Sequence, residues 1–167
     1  MGATMETTRL PMTVNDVTVL RSAPSLYREI VNEHNLHPVH KGDIEDPDMI
    51  LNGVNPSCGD DIYLQLKFDE NGNVSEGSFN GSGCAISQAS ADMMLDLIIG
   101  LPKEEALEKA EIFMGMVRGT VDEEKIEELD EAASLADIAH MPARVKCATL
   151  GWKTMQRMLR DGENEKK

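Results

Sequence analysis

Three cysteines and one aspartate are the residues of this chain whose types and settings offer chemistry. Cys58 stands in Asn55-Pro56-Ser57-Cys58-Gly59-Asp60, Cys84 follows Gly81-Ser82-Gly83 at the head of an apolar helical run, and Cys147 lies in Arg144-Val145-Lys146-Cys147-Ala148. With Asp60 they make four candidate ligands for one tetrahedral metal ion, and thiolate chemistry once that ion moves. The spacing is not that of a zinc finger, so by spacing alone three buried structural cysteines remain an alternative. Context favours a site: Cys58 and Asp60 flank Gly59 in a tight turn, and Cys84 opens a helix whose dipole favours a thiolate. A single carboxylate among thiolates is a weak, exchangeable ligand, so such a site can be opened. Three thiolates and a carboxylate leave the loaded site anionic, which favours replacement of one ligand by a neutral imidazole from a partner. The freed thiolate could then attack a persulfide or disulfide sulfur. Asp60 could instead be a turn residue that accepts from nearby backbone amides.

A rival constellation is His34, His37 and His40, imidazoles at steps of three. Pro38 interrupts helical geometry there, so a polar helix end is the favoured reading over a metal site. His140 is separated from Cys147 by Pro142 and is a weak further ligand. Gly81-Ser82-Gly83 lacks a following Gly-Lys-Ser/Thr, which argues against nucleotide binding.

These residues need elements to bring them together. Leu26, Tyr27, Ile30, Val31 and His34 share a helical face from Pro24 to a stop at Pro38, and residues 38 to 57 read as a long loop. Ile62, Leu64, Leu66 and Phe68 alternate as a strand. Asn71-Gly72 marks a hairpin turn, and Val74 to Asn80 return as the partner strand, carrying Cys84 back beside Cys58. Residues 84 to 99 form an amphipathic helix closed by Gly100. A second helix runs from Pro102 to Gly119 with Ala106, Ala110, Phe113 and Val117 inward. Residues 121 to 137 are strongly acidic, with Ile126, Leu129 and Leu135 to anchor a short helix, and read as a surface insertion. The last helix spans about 143 to 160, with Val145, Ala148, Trp152, Met155 and Leu159 on one stripe.

The 167 residues suit one domain, from 23 to 160, behind a mobile arm of residues 1 to 22 and ahead of a disordered tail of residues 161 to 167. Thirty acidic against sixteen basic residues give a formal charge of -14, which repels phosphate backbones and anionic lipid surfaces and disfavours nucleic acid as a partner. No apolar run is long enough to span a bilayer. The odd cysteine count and the absence of a signal peptide predict a reducing, cytoplasmic setting with free thiols.

Four separated motifs, in order, resemble the U-type iron-sulfur cluster assembly proteins, and the SufU branch rather than the IscU branch. They are Leu26-Tyr27-Arg28 with His34-Asn35-Leu36-His37-Pro38; Asn55-Pro56-x-Cys58-Gly59-Asp60; Gly81-x-Gly83-Cys84-Ala85-Ile86-Ser87-x-Ala89-Ser90; and Arg144-x-Lys146-Cys147-Ala148-x-x-x-Trp152. The resemblance covers about residues 24 to 160. It implies an α+β fold, SufE/NifU-like, with a small antiparallel sheet of about three strands packed against helices. It also implies a zinc site at Cys58, Asp60, Cys84 and Cys147, with Cys58 as acceptor of persulfide sulfur from a cysteine desulfurase of the SufS type. Downstream partners would be SUF assembly proteins. The alternative is a scaffold that holds iron or a transient [2Fe-2S] cluster. The IscU branch carries a histidine where Lys146 stands, and the acidic stretch resembles an insertion that distinguishes the SufU branch. Arg144 and Lys146 could lower thiolate pKa values, dock a partner, or have no role beyond the surface.

Overall fold

The computed structural model describes residues 24–166, with side chains from residue 28 onward. The expected arm of residues 1 to 22, and the faces taken by Leu26 and Tyr27, lie outside the described residues. The chain runs α1 (Pro24–Leu36), β1 (Met49–Asn55), β2 (Asp60–Phe68), β3 (Val74–Ser82), α2 (Ala85–Ile98), α3 (Lys103–Arg118), α4 (Glu123–Glu127), a 3-10 segment (Asp130–His140) and α5 (Pro142–Leu159). It is α+β, with one three-stranded antiparallel sheet in the order β1-β2-β3.

Period-two patterning sets the sheet's two faces. Ile62, Leu64 and Leu66 of β2 are fully buried, with Leu51 of β1 and Phe79 of β3 paired on either side of Leu64. Helices α2 and α5 cover this face. Gly53 lets α5 approach β1, since a Cβ there would collide with the Thr154 hydroxyl. At Gly151 a Cβ would stand 3.4 Å from Ala91, so α2 and α5 are close neighbours as well. The indole of Trp152 stacks on Phe113 with centroids 4.2 Å apart and donates to the Ser90 hydroxyl at 3.0 Å, tying α5 to α3 and α2. That one residue satisfies both halves of its amphipathic character.

Three stretches depart from expectation. Residues 38 to 57 are not all loop, because Met49–Asn55 form an edge strand. Its Asn and Gly content hides the strand pattern, and its Gly53 is demanded by α5 rather than by a turn. The acidic stretch is anchored more deeply than three residues would allow: Ala132, Ala133 and Ile138 are buried with Ile126, Leu129 and Leu135. The alanines are small enough to sit against the core, while Asp122, Glu123, Glu124 and Asp137 are exposed and Glu131 reaches in to the buried His34. The segment 161–166, expected to fray, runs along β1: the Ile50 amide donates to Asn164 Oδ1 (2.9 Å) and the Glu165 amide to the Ile50 carbonyl (2.7 Å). Unpaired strand edges seek such partners.

Candidate metal and thiol site

The β1-β2 connection is a tight turn closed by the last ladder pair, Asn55 with Asp60. The Cys58 amide donates to the Asn55 carbonyl at 3.2 Å, and Gly59 adopts φ +72, a left-handed value that suits glycine. This leaves Cys58 exposed at the tip and turns Asp60 inward to 1% exposure. β3 returns beside β2 and ends at Ser82. The chain passes Gly83, where a Cβ would press on the Ser87 hydroxyl and the Asp60 carboxylate, and reaches Cys84 as the N-cap of α2. The Cys84 sulfur accepts from the Ser87 amide at 3.4 Å, so a thiol occupies the place usually held by Ser, Thr, Asp or Asn. Cys147 arrives from the second turn of α5, fully buried.

Cys58 and Cys147 hold their sulfurs 3.1 Å apart, and a carboxylate oxygen of Asp60 lies within 4.8 Å of both. Cys84 stands one step outside that tight trio. Its amide donates to Asp60 Oδ1 at 2.8 Å, and its sulfur is near enough to act on the Cys147 thiol. All four residues named from the sequence therefore converge on one end of the sheet.

Two further residues hold the arrangement. Asn55 donates from Nδ2 to Asp60 Oδ2 at 3.1 Å and approaches Cys147 Sγ at 3.8 Å, and the Ser87 hydroxyl donates to Asp60 Oδ1 at 3.1 Å. The sequence carried both within the cysteine motifs without showing their purpose. Burial by itself would raise the Asp60 pKa. The Cys84 amide, the Asn55 amide group, the Ser87 hydroxyl and Cys147 outweigh it and hold the carboxyl below its usual range, so Asp60 is an anion. The Cys147 thiol is pushed well up, first by burial, then by the neighbouring Cys58 and Cys84 sulfurs and the negative charge of Asp60.

Three sulfurs and a carboxylate converging in this way suit a thiophilic divalent ion such as zinc, with Asp60 and Cys147 buried and Cys58 exposed. Arg144 and Lys146 are exposed on α5, and His140 is exposed at the end of the 3-10 segment. Among the described helices, none is long and apolar enough to cross a membrane.

A profile of the NifU-like N-terminal domain matches residues 26–161. The chain is 42% identical over 140 residues to a Streptococcus pyogenes serotype M1 protein named iron-sulfur cluster assembly scaffold protein IscU, covering 83% of this chain and 86% of that one. It is 38% identical over 133 residues to a Bacillus subtilis (strain 168) protein named zinc-dependent sulfurtransferase SufU, covering 80% of this chain and 88% of that one. The fold superposes on a crystal structure of a protein from Fervidobacterium islandicum AW-1, described as a scaffold protein for the SUF system, with a TM-score of 0.74 and 36% identity, over 82% of this chain and 98% of that one.

Proposed function

Because this chain belongs to the NifU-like N-terminal domain family of iron-sulfur cluster assembly proteins, we propose that it is a zinc-dependent sulfur acceptor, taking persulfide sulfur from a cysteine desulfurase and carrying it onward. The observation that carries this reading is the graded exposure of the site. Cys58 is exposed at a turn tip, Cys84 is half-buried, and Cys147 and Asp60 are buried beneath them. A partner's cysteine persulfide can reach Cys58 first.

The Cys58 thiolate would attack the terminal sulfur of the donor persulfide. A sulfur-sulfur bond forms at Cys58, the donor's own sulfur-sulfur bond breaks, and the donor cysteine leaves as a thiolate with that electron pair. Asp60, clamped by Asn55, Ser87 and the Cys84 amide, keeps a fixed negative charge behind the reacting turn. Zinc, when bound, would be held by Cys58, Asp60, Cys84 and Cys147 and would keep the thiols deprotonated at neutral pH. The Bacillus relative's name supports the reading, as does Lys146 in the place where the IscU branch has a histidine. A desulfurase of the SufS type, downstream SUF proteins and a cytoplasmic setting go with it.

Intact-mass analysis after incubation with a cysteine desulfurase and cysteine tests it. The zinc-loaded protein should gain the mass of sulfane sulfur, and Cys58→Ser should abolish the gain. Labelling that persists at Cys84 or Cys147 in that variant would reassign the acceptor. The Streptococcus relative, named a scaffold, favours a second reading in which the same four residues hold a nascent [2Fe-2S] cluster as cargo. Anaerobic reconstitution with iron and sulfide would then give a brown protein with visible absorption, whereas zinc that resists displacement by iron argues against it.

A further inference from the structure

Cys58 and Cys147 meet from opposite sides. Cys58 projects from the tip of the β1-β2 turn and is exposed, whereas Cys147 comes from within, off the second turn of α5, and is fully buried. Their sulfurs stand 3.1 Å apart, inside the range of about 3–3.5 Å for atoms held ready to react. Cys84 is placed differently. Its sulfur caps α2 by accepting from the Ser87 amide at 3.4 Å, and it lies outside the close trio of Cys58, Asp60 and Cys147. The partner in reach of Cys58 is therefore Cys147.

A thiol that meets a sulfur-sulfur bond can attack either sulfur, and the choice fixes the products. A donor reaches Cys58 from solvent, on the side away from Cys147, so a sulfur added there points outward. The buried thiol then faces Cys58 Sγ, the inner sulfur, from behind the new bond. Attack at the outer sulfur would only move the persulfide; attack at the inner one expels the outer sulfur.

We propose that, once Cys58 carries a persulfide and Cys147 is free of metal, Cys147 attacks Cys58 Sγ and the site releases the carried sulfur as hydrosulfide. The inference rests on the sulfur-acceptor reading and adds a fate for the sulfur. A bond forms between the Cys147 and Cys58 sulfurs, and the bond from Cys58 Sγ to the outer sulfur of the persulfide anion breaks. The outer sulfur leaves with that electron pair and takes the Cys147 thiol proton. It gains two electrons, which the cysteine sulfurs give up in becoming a disulfide, so no outside reductant enters the step. A dithiol reductant then reopens the disulfide for another round. With Cys147 engaged as a metal ligand its sulfur is not free to attack, and the persulfide is kept for transfer.

The test uses the full chain, zinc-loaded, charged by a cysteine desulfurase and cysteine, freed of small thiols by gel filtration without air, and then stripped of metal with a strong chelator. Hydrosulfide should appear in an amount equal to the persulfide lost. The intact mass should fall from that of the charged protein to that of a monomer with one internal disulfide, and peptide mapping should find Cys58 joined to Cys147. Charged protein left unstripped should keep its sulfur. Charged Cys147→Ser protein should hold its persulfide through the same stripping; should that variant not charge, the cross-linked peptide of the wild type decides. A persulfide that stays on Cys58 after stripping, one that moves to Cys147, or a disulfide from Cys58 to Cys84 overturns the release step and leaves the acceptor reading standing. No gain of sulfur before stripping overturns the acceptor reading and the release step with it.

Discussion

Asp60 shows how a buried carboxylate is kept charged. Its desolvation opposes ionisation, yet an amide, a side-chain amide group and a hydroxyl donate to its two oxygens and reverse the balance. Asn55 and Ser87 would therefore act on the proposed metal site through Asp60, and orienting partners of this kind are worth roughly 10- to 100-fold in metal affinity. Asn55→Ala and Ser87→Ala should each weaken zinc binding by about that factor in chelator competition. Unchanged affinity would show that Asp60 does not need them. The same neighbourhood ranks the thiols. Cys58 is exposed while Cys147 is fully buried, with its thiol pushed up by burial, by the Cys58 and Cys84 sulfurs and by Asp60. In metal-free protein treated with iodoacetamide near neutral pH, Cys58 should alkylate first and Cys147 last, as followed by peptide mass mapping. Early labelling of Cys147 would mean that the second turn of α5 opens when metal is absent.

Among the elements, the sheet is finished at both edges by chain that is not strand. Beyond β3, the Gly42 amide donates to the Phe79 carbonyl at 2.8 Å and the Phe79 amide to the His40 carbonyl at 3.0 Å. Beyond β1, residues 164 and 165 take the same role, with Asn52's amide donating to Glu165 Oε2 at 3.2 Å. A short sheet with open edges would be a template for self-pairing. Deleting residues 163 to 167 should therefore increase self-association, read by light scattering or size-exclusion chromatography, with little loss of helix content. A truncated protein as monodisperse as the full chain would refute the protective role. The edge covering on the β3 side also delivers His40 to α2, where its Nε2 meets Asp96 Oδ1 at 2.7 Å.

For the whole molecule, the formal charge of -14 coexists with carboxylates held in their ionised form by specific partners. Asp69 is one: the Asn73 amide first, with help from the Asn71 amide, the Asn73 side chain and the Gly72 amide, keeps its carboxyl below the usual range against the opposing effect of burial, and this closes the β2-β3 hairpin. Asp92 is another, where burial is outweighed by His34 and the His40 amide. A carboxyl whose folded pKa is depressed contributes stability above its unfolded pKa, near 4, and loses it as pH falls through the folded value. The melting temperature should thus be flat near neutrality and drop below about pH 4. Asp69→Asn should flatten that acid limb, because its replacement no longer gains a proton. An unaltered limb in a calorimetric pH series would place acid sensitivity elsewhere.

Local order was legible in the residues. The alternation at Ile62, Leu64 and Leu66, the Asn71-Gly72 turn, the left-handed stop at Gly119 and the four cysteine-motif residues each announce themselves within a few positions, because period, turn chemistry and capping are short-range effects. What only tertiary structure decided is which distant groups meet and which surfaces are covered. β1 escapes its own pattern because Gly53 is set by the Thr154 hydroxyl on α5. The alanines of the acidic segment are buried because α3 and α5 leave room for them, and the segment 161–166 is ordered by the edge of β1. His34 finds Asp92 across 58 residues of chain, with Pro38 in the sequence arguing against any local histidine cluster. Such pairings are written in shape and charge complementarity between elements, and no window along the chain contains both halves.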